Sequence, residues 1–216
     1  MISDTYRLWP DKPTRFHGKG CTMHVLDAIA TRRTVRSFSA RRPTRAQIES
    51  ILKNACRAPS IRNDQPWRVK VFAEDALADL VNAAAAGESL AAKAPPLWAP
   101  DVRAARIDDG ALRRGGLRFY EAPVGLLCTI DRNATREQWL DHGCFINNII
   151  LASNAFAMSA CVIGDFQGLE ACIEPRFPVA SDEEITVGIG IGYADRARER
   201  MTERRPLEPF SEFHWD

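Results

Sequence analysis

Charge of one sign is missing from this chain: 29 Lys and Arg stand against 28 Asp and Glu over 216 residues, a formal net charge of +1. That balance offers no electrostatic hold on a nucleic acid, and the 45% hydrophobic content fits an ordinary globular protein. Paired cysteine motifs are missing too. Cys21, Cys56, Cys128, Cys144, Cys161 and Cys172 are scattered, with no CxxC and no matching Cys/His spacing. They read as reduced core residues of a cytoplasmic protein rather than as a secreted disulfide framework. The start of the chain lacks a signal peptide, because Asp4, Arg7, Asp11, Lys12 and Arg15 precede any apolar run. No export is expected, and the length suits one α+β domain with a single substantial core.

Several kinds of catalytic machinery are absent as well. There is no G-x-S-x-G elbow, and Ser60 follows a proline in a loop, which argues against a serine hydrolase. Gly188, Gly190 and Gly192 begin like a dinucleotide fingerprint but lack the third glycine and the following helix, so they read as glycines of a crowded central strand. His17, His24, His142 and His214 are too widely separated for a metal site. Cys144 and Cys161 sit in an uncharged segment where burial raises a thiol pKa, so neither suits a nucleophile. No internal repeat is visible. The one long uncharged run, Phe145 to Gly164, could span a bilayer by length. It carries Asn147, Asn148, Ser153, Asn154 and Ser159, side chains costly in lipid, and reads instead as a helix buried at a protein interface. No membrane is implied.

Turning to what is present, residues 1–22 mix prolines, glycines and charges without a period and read as an N-terminal arm, followed by one domain over 23–216. Val25, Ala28 and Ile29 give a short helical stripe ending in a cationic cluster that suits a helix C-terminus. Thr44 with Gln47 is a capping box before Ile48, Ile51, Leu52 and Ala55, a helix expected to stop at Ala58-Pro59. A strand over Trp67 to Phe72 and an Ala-rich helix from about Asp75 to Lys93 follow. Pro95, Pro96 and Pro100 open a long connection to about Leu117, of the size used for lids and binding loops. Val124 to Ile130 reads as a buried strand, Thr135 with Gln138 as a second capping box, and Ile185 to Tyr193 as a last strand. Arg196 to Asp216 is a polar tail with aromatic anchors.

Two clusters suit a phosphate and a flat polar ring. Arg32-Arg33-Thr34-Val35-Arg36 places three cations and a hydroxyl within five residues, the chemistry of charge-assisted phosphate binding. Ala58-Pro59-Ser60-Ile61-Arg62-Asn63-Asp64-Gln65-Pro66-Trp67 packs amide, hydroxyl and aromatic groups between two prolines. In that order the two segments resemble the FMN-dependent nitroreductase family, whose pattern joins R-R-[ST]-x-R to A-P-S-x-x-N-x-Q-P-W. The likeness runs from about Met23 to the end through Glu121-Ala122-Pro123-Val124, Trp139 to Gly143, Val187 to Asp195, and Thr202-Glu203-Arg204-Arg205-Pro206. The Trp-Leu-Asp and Thr-Glu-Arg pieces are most similar to the nitrobenzoate reductase branch.

The resemblance implies an α+β fold with a central mixed or antiparallel sheet flanked by helices, in an intertwined homodimer with two FMN molecules at its interface. By the same resemblance Arg32, Arg33, Thr34 and Arg36 belong to the element that binds the FMN phosphate and the flavin pyrimidine edge. Arg204, with Arg205 as the neighbouring second candidate, matches the C-terminal phosphate-binding arginine. Pro59, Ser60 and Asn63 match a loop that reaches the flavin from the other subunit. Asn147 stands where the branch commonly has glutamine. Val162-Ile163-Gly164 lies where the family sets backbone N–H groups against the flavin, without the branch's usual Pro-Gln stretch, so Ile163 and Gly164 join the cofactor-binding set. No side chain is expected to be catalytic, because the flavin carries the hydride while the protein orients it. NADH or NADPH would donate electrons and a small electron-poor substrate would accept them in ping-pong order. Arg36 would stabilise the charge added on reduction. The alternatives are an FMN-dependent dehydrogenase or oxidase that tailors a metabolite, and a non-catalytic flavin-binding protein.

Overall fold

The computed structural model describes residues 23–91 and 115–195. The N-terminal arm, most of the proline-broken connection including Trp98, and the tail with Arg204, Arg205 and its aromatic anchors lie outside the described residues.

The elements are α1 (Val25–Thr31), α2 (Arg45–Ala55), β1 (Arg68–Ala73), α3 (Glu74–Ala91), β2 (Val124–Asp131), α4 (Arg136–Ala155), β3 (Ser159–Ile163), α5 (Glu170–Ile173) and β4 (Glu183–Gly192). Both expected capping boxes are present: Thr44 accepts from the Gln47 N–H and Thr135 from the Gln138 N–H, and each glutamine returns a bond to the cap. The helix α2 stops at Ala55, three residues before Ala58. Its carbonyls then close tight turns, with the Arg57 N–H on Asn54 and the Ala58 N–H on Ala55.

The four strands form one sheet in the order β1-β2-β4-β3, all antiparallel. Thr34 adds a single parallel bridge to Ala160 outside β3, and Phe38 an antiparallel one to Ala194. Helices cover both faces. On one, α2 and α4 pack Ile48, Ile51, Phe145 and Ile149 against Leu126, Cys128, Ile189 and Ile191. On the other, α3 and α5 pack Leu80, Ala84 and Ile173 against Phe72, Leu127 and Ile185. Because β2 is buried on both sides, its continuous apolar run is what a central strand requires. Trp67 stacks on Phe145 with centroids 5.0 Å apart, locking β1 to α4.

The uncharged run from Phe145 to Gly164 is not one helix. The helix α4 ends at Ala155, and Ala157 takes φ 58°, with the Met158 N–H returning to the Ser153 carbonyl. Residues 159–163 then pair with β4 as a strand. Just before this run Cys144 is exposed, as is Cys56, so the six cysteines are not uniformly core residues. The buried face of α4, which carries His142, Phe145 and Ile149, leaves Cys144 on its outward side. Among the described residues no helix is long and apolar enough to cross a membrane.

Candidate active site

The segment 32–39 runs along the edge of the sheet near the end of β3. Its start is fixed by α1, whose last turn is held by Asn154 of α4: the side-chain amide donates to the Ala28 carbonyl at 2.8 Å and to Thr31 Oγ1 at 2.9 Å. Arg32 is the C-cap of α1, with its N–H on the Ala28 carbonyl. Thr34 then pairs beside Ala160, Val35 is buried, and Ser39 donates its N–H to the Tyr193 carbonyl at 2.8 Å. This alternation leaves Thr34 and Arg36 exposed while Val35 anchors the strand-like stretch.

Arg36 faces the end of β3. Its guanidinium carbon lies 5.9 Å from the centre of the Tyr120 ring. Burial pushes the Cys161 thiol up to about 11, with Arg36 pulling it down and Asp165 pushing it up, so these three side chains share one neighbourhood. Ile163 is buried and Gly164 exposed. A Cβ on Gly164 would meet nothing within 4 Å, which leaves its backbone open to a flat ligand. The structure therefore sets Thr34 and Arg36 alongside β3, whose end carries Ile163 and leads into Gly164. It adds two residues that the sequence did not single out, Tyr120 and Asp165.

The second cluster forms a separate place. Asp141 Oδ2, in the second turn of α4, accepts the Ile61 N–H at 2.9 Å and pins the loop after Pro59. Inside that loop Gln65 bonds both candidates: its N–H donates to Ser60 Oγ at 3.2 Å and its side-chain amide to Asn63 Oδ1 at 3.0 Å. Each oxygen accepts one bond within the loop, which leaves the Ser60 hydroxyl proton and the Asn63 amide protons as donors. Arg62, Asn63 and Gln65 have φ of 50°, 61° and 47°. Left-handed non-glycine residues cost of order 1–3 kcal/mol each and cluster at functional sites. Asn147, further along α4, is exposed on the same helix.

Within one chain these two places hang from anchors well separated along α4. The loop is tied to Asp141 and the arginine segment to Asn154. Thirteen residues of helix separate those anchors, which at 1.5 Å per residue is ~20 Å. Among the described residues no cluster of three or more His, Cys, Asp or Glu could hold a metal. His24 instead caps α1 and His142 is a core residue. Gly188, Gly190 and Gly192 lie in the inner strand β4, where a Cβ would come within 2.5 Å of Phe166, 2.9 Å of the Phe119 carbonyl and 2.6 Å of Pro123.

Comparison with known proteins places this arrangement. Residues 29–193 match the Nitroreductase family. A 4-nitrobenzoate reductase of Pseudomonas putida is 31% identical over 207 residues, covering 83% of this chain and 89% of that protein. Among solved structures, the FMN and NADPH-dependent nitroreductase NfnB from Sphigopyxis sp. strain HMH superposes with a TM-score of 0.76 at 23% identity, over 90% of this chain and 100% of that one. The FMN-dependent nitroreductase NfnB from Mycobacterium smegmatis, solved with NADPH, gives 0.73 at 22% identity, over 87% and 96%. The chain belongs to the nitroreductase family.

Proposed function

We infer that this protein is an FMN-dependent oxidoreductase that uses NADH or NADPH to reduce a small electron-poor substrate, a nitroaromatic or quinone-like ring, as a homodimer. The observation that carries this reading is the separation of two flavin-suited clusters at opposite ends of α4. Neither cluster alone surrounds a cofactor, but a second copy in antiparallel register would bring the Ser60 and Asn63 loop of one chain to the Arg32 to Arg36 segment of the other. An isologous interface of this kind makes two equal sites. Exposed apolar side chains near the start of α4, Leu140 at 73% and Trp139 at 38% exposure, lie beside the loop that carries Ile61 at 43% and suit such a contact.

The residues present fit FMN. Arg32, Arg33 and Thr34 would hold its phosphate, joined by Arg204 or Arg205, while Arg36 would face the pyrimidine edge and the open backbone at Ile163 and Gly164 the ring. Pro59, Ser60 and Asn63 would close the site from the partner, with Asn147 as a further amide. FMN bound there supplies hydride chemistry between a nicotinamide and an electron-poor ring. The protein's part is to orient the ring and to set charge beside it; the guanidinium of Arg36 favours whichever state carries more negative charge. Because both substrates are flat, one open face serves them in turn, which gives ping-pong kinetics. The 4-nitrobenzoate reductase relative supports a nitroaromatic acceptor. We assign the domain to residues 23–216 with an arm at 1–22. The free thiols at Cys56 and Cys144 suit the reducing cytoplasm.

The test is spectroscopic. Under nitrogen, NADH or NADPH should bleach the bound flavin and a nitrobenzoate should then restore its oxidised spectrum in a separate step. A flavin that NAD(P)H never bleaches overturns the reductase reading. If product instead forms with oxygen and without NAD(P)H, the protein is the metabolite dehydrogenase or oxidase.

A further inference from the structure

The residues just before β2 are unusual in a way that the flavin contacts do not explain. Phe119, Tyr120 and Glu121 have φ of 52°, 53° and 60°, three consecutive non-glycine residues in the left-handed region. A single such residue is uncommon, and a run of three needs the surrounding structure to hold it. The hold comes from glycines. Phe119 is fully buried and lies over Gly125 of β2 and Gly188 and Gly190 of β4, with Gly125 and Gly190 paired across the two strands. A Cβ on Gly125 would stand 3.0 Å from the Phe119 ring, on Gly188 3.2 Å from it, and on Gly190 2.9 Å from its carbonyl oxygen. Phe166 closes the seat, with its ring 4.6 Å from that of Phe119. The glycine-rich strands thus admit one phenylalanine, and the turn it anchors delivers the next side chain, Tyr120, to Arg36.

Resting on the FMN reading above, we propose that Tyr120 is a positioning residue for Arg36, holding the guanidinium where it faces the flavin pyrimidine edge and thereby raising the reduction potential of the bound cofactor. The Arg36 guanidinium carbon lies over the Tyr120 ring, 5.9 Å from its centre, close enough that its charge opposes the rise in the phenol pKa. Burial raises the phenol pKa above its ordinary value, so the partner is neutral across the working range. That matters for the chemistry. A carboxylate in the place of Tyr120 would orient Arg36 equally well but offset its charge, whereas a neutral phenol orients it and adds no opposing charge of its own. Asp165 and the buried Cys161 are the other titratable groups near this pair. The thiol is neutral and carries no charge to the site, with its pKa at about 11.

The experiment compares wild type, Tyr120→Phe, Arg36→Ala and the double variant, each loaded with FMN. Phenylalanine keeps the ring in its place and removes only the hydroxyl beside Arg36, so oxidised FMN should bind as in wild type and the thermal midpoint should hold. Reduced FMN should lose about three- to tenfold in affinity relative to oxidised, which lowers the two-electron potential by roughly 15–30 mV. In the Arg36→Ala background the same Tyr120→Phe change should shift the potential no further, because the two side chains act as one unit. An unchanged potential in Tyr120→Phe overturns the inference while leaving the FMN reading intact. A shift that persists without Arg36 also overturns it. Failure of the wild-type protein to take up FMN at all overturns both.

Discussion

His142 shows how one buried side chain sets a property of the whole protein. It is 1% exposed, and its Nε2 lies 2.8 Å from Thr186 Oγ1. The Thr186 hydroxyl already donates to the Cys128 carbonyl at 3.0 Å, so it accepts from His142 and the proton sits on Nε2. Nδ1 is left buried without a hydrogen-bond partner. Charging the ring would place a second N–H in a dry space between Trp139 and Phe145, and burial accordingly holds the pKa down at about 4, against an ordinary value of 6.5. The folded pKa lies below the unfolded one, so the unfolded chain binds the proton first. Stability from this residue is complete above about pH 6.5 and is lost as pH falls toward 4. Between pH 7.5 and pH 5 the loss should be about 2 kcal/mol. Urea unfolding of wild type and His142→Gln at both pH values checks it: the loss should be about 2 kcal/mol smaller in the variant, and an equal loss in both would clear His142 of the effect. A second prediction at this scale concerns Arg32. Replacing it with alanine should weaken FMN binding ten- to hundredfold, since a charge-assisted contact contributes about 1.5–3 kcal/mol, with little change in the melting temperature. Unaltered affinity would remove Arg32 from the phosphate site.

At the scale of elements, what was legible in the sequence depended on whether the signal was local. The capping boxes at Thr44 and Thr135 fixed two helix starts because each is a bond between residues three apart. The run from Phe145 to Gly164 misled, because an uncharged apolar stretch has no period that separates a buried helix from a buried strand. Its break rests on one backbone angle at Ala157, which no residue type there announces. Arg36 and Gly164 could be named from sequence through the family motif. Tyr120 and Asp165 could not, since only the folded sheet brings positions 36, 120, 161 and 165 together. The glycines of β4 were read as crowded, and the crowding is now specific enough to predict from. Alanine at 188 would put a methyl group 2.5 Å from the ring of Phe166, which is fully buried and has nowhere to move. Overpacking of this kind costs about 1–3 kcal/mol. Gly188→Ala should therefore lower the unfolding free energy measured in urea by that amount, and a variant as stable as wild type would show that Phe166 has room to shift.

At the scale of the whole molecule, the ~20 Å of α4 between the Asp141 and Asn154 anchors of the two candidate clusters becomes a statement about chains rather than about residues. If one FMN is gripped by the arginine segment of one subunit and the Ser60 loop of the other, a lesion in either cluster damages both sites of a homodimer. The two lesions should nevertheless complement each other. In a hybrid of Arg32→Ala with a Ser60→Ala/Asn63→Ala chain, one site collects both lesions and the other is built wholly from unaltered residues. Random exchange of subunits makes about half of the dimers hybrid, so about a quarter of all sites should recover wild-type affinity. FMN titration of the mixture after partial unfolding and reassembly measures this directly, and each variant alone supplies the baseline. A single-chain site predicts the opposite result, because mixing would then create no intact site and the titration would be the average of the two baselines. Leu140→Glu adds a control at the same scale. It places a charge among the exposed apolar side chains near the start of α4, where Leu140 is 73% exposed in one chain and so plays no part in its core. Sedimentation should show it to be a folded monomer, and FMN affinity should fall with the loss of the partner. A Leu140→Glu protein that remains dimeric would move the interface off this face of α4, and a monomer that still binds FMN tightly would place the whole site within one chain.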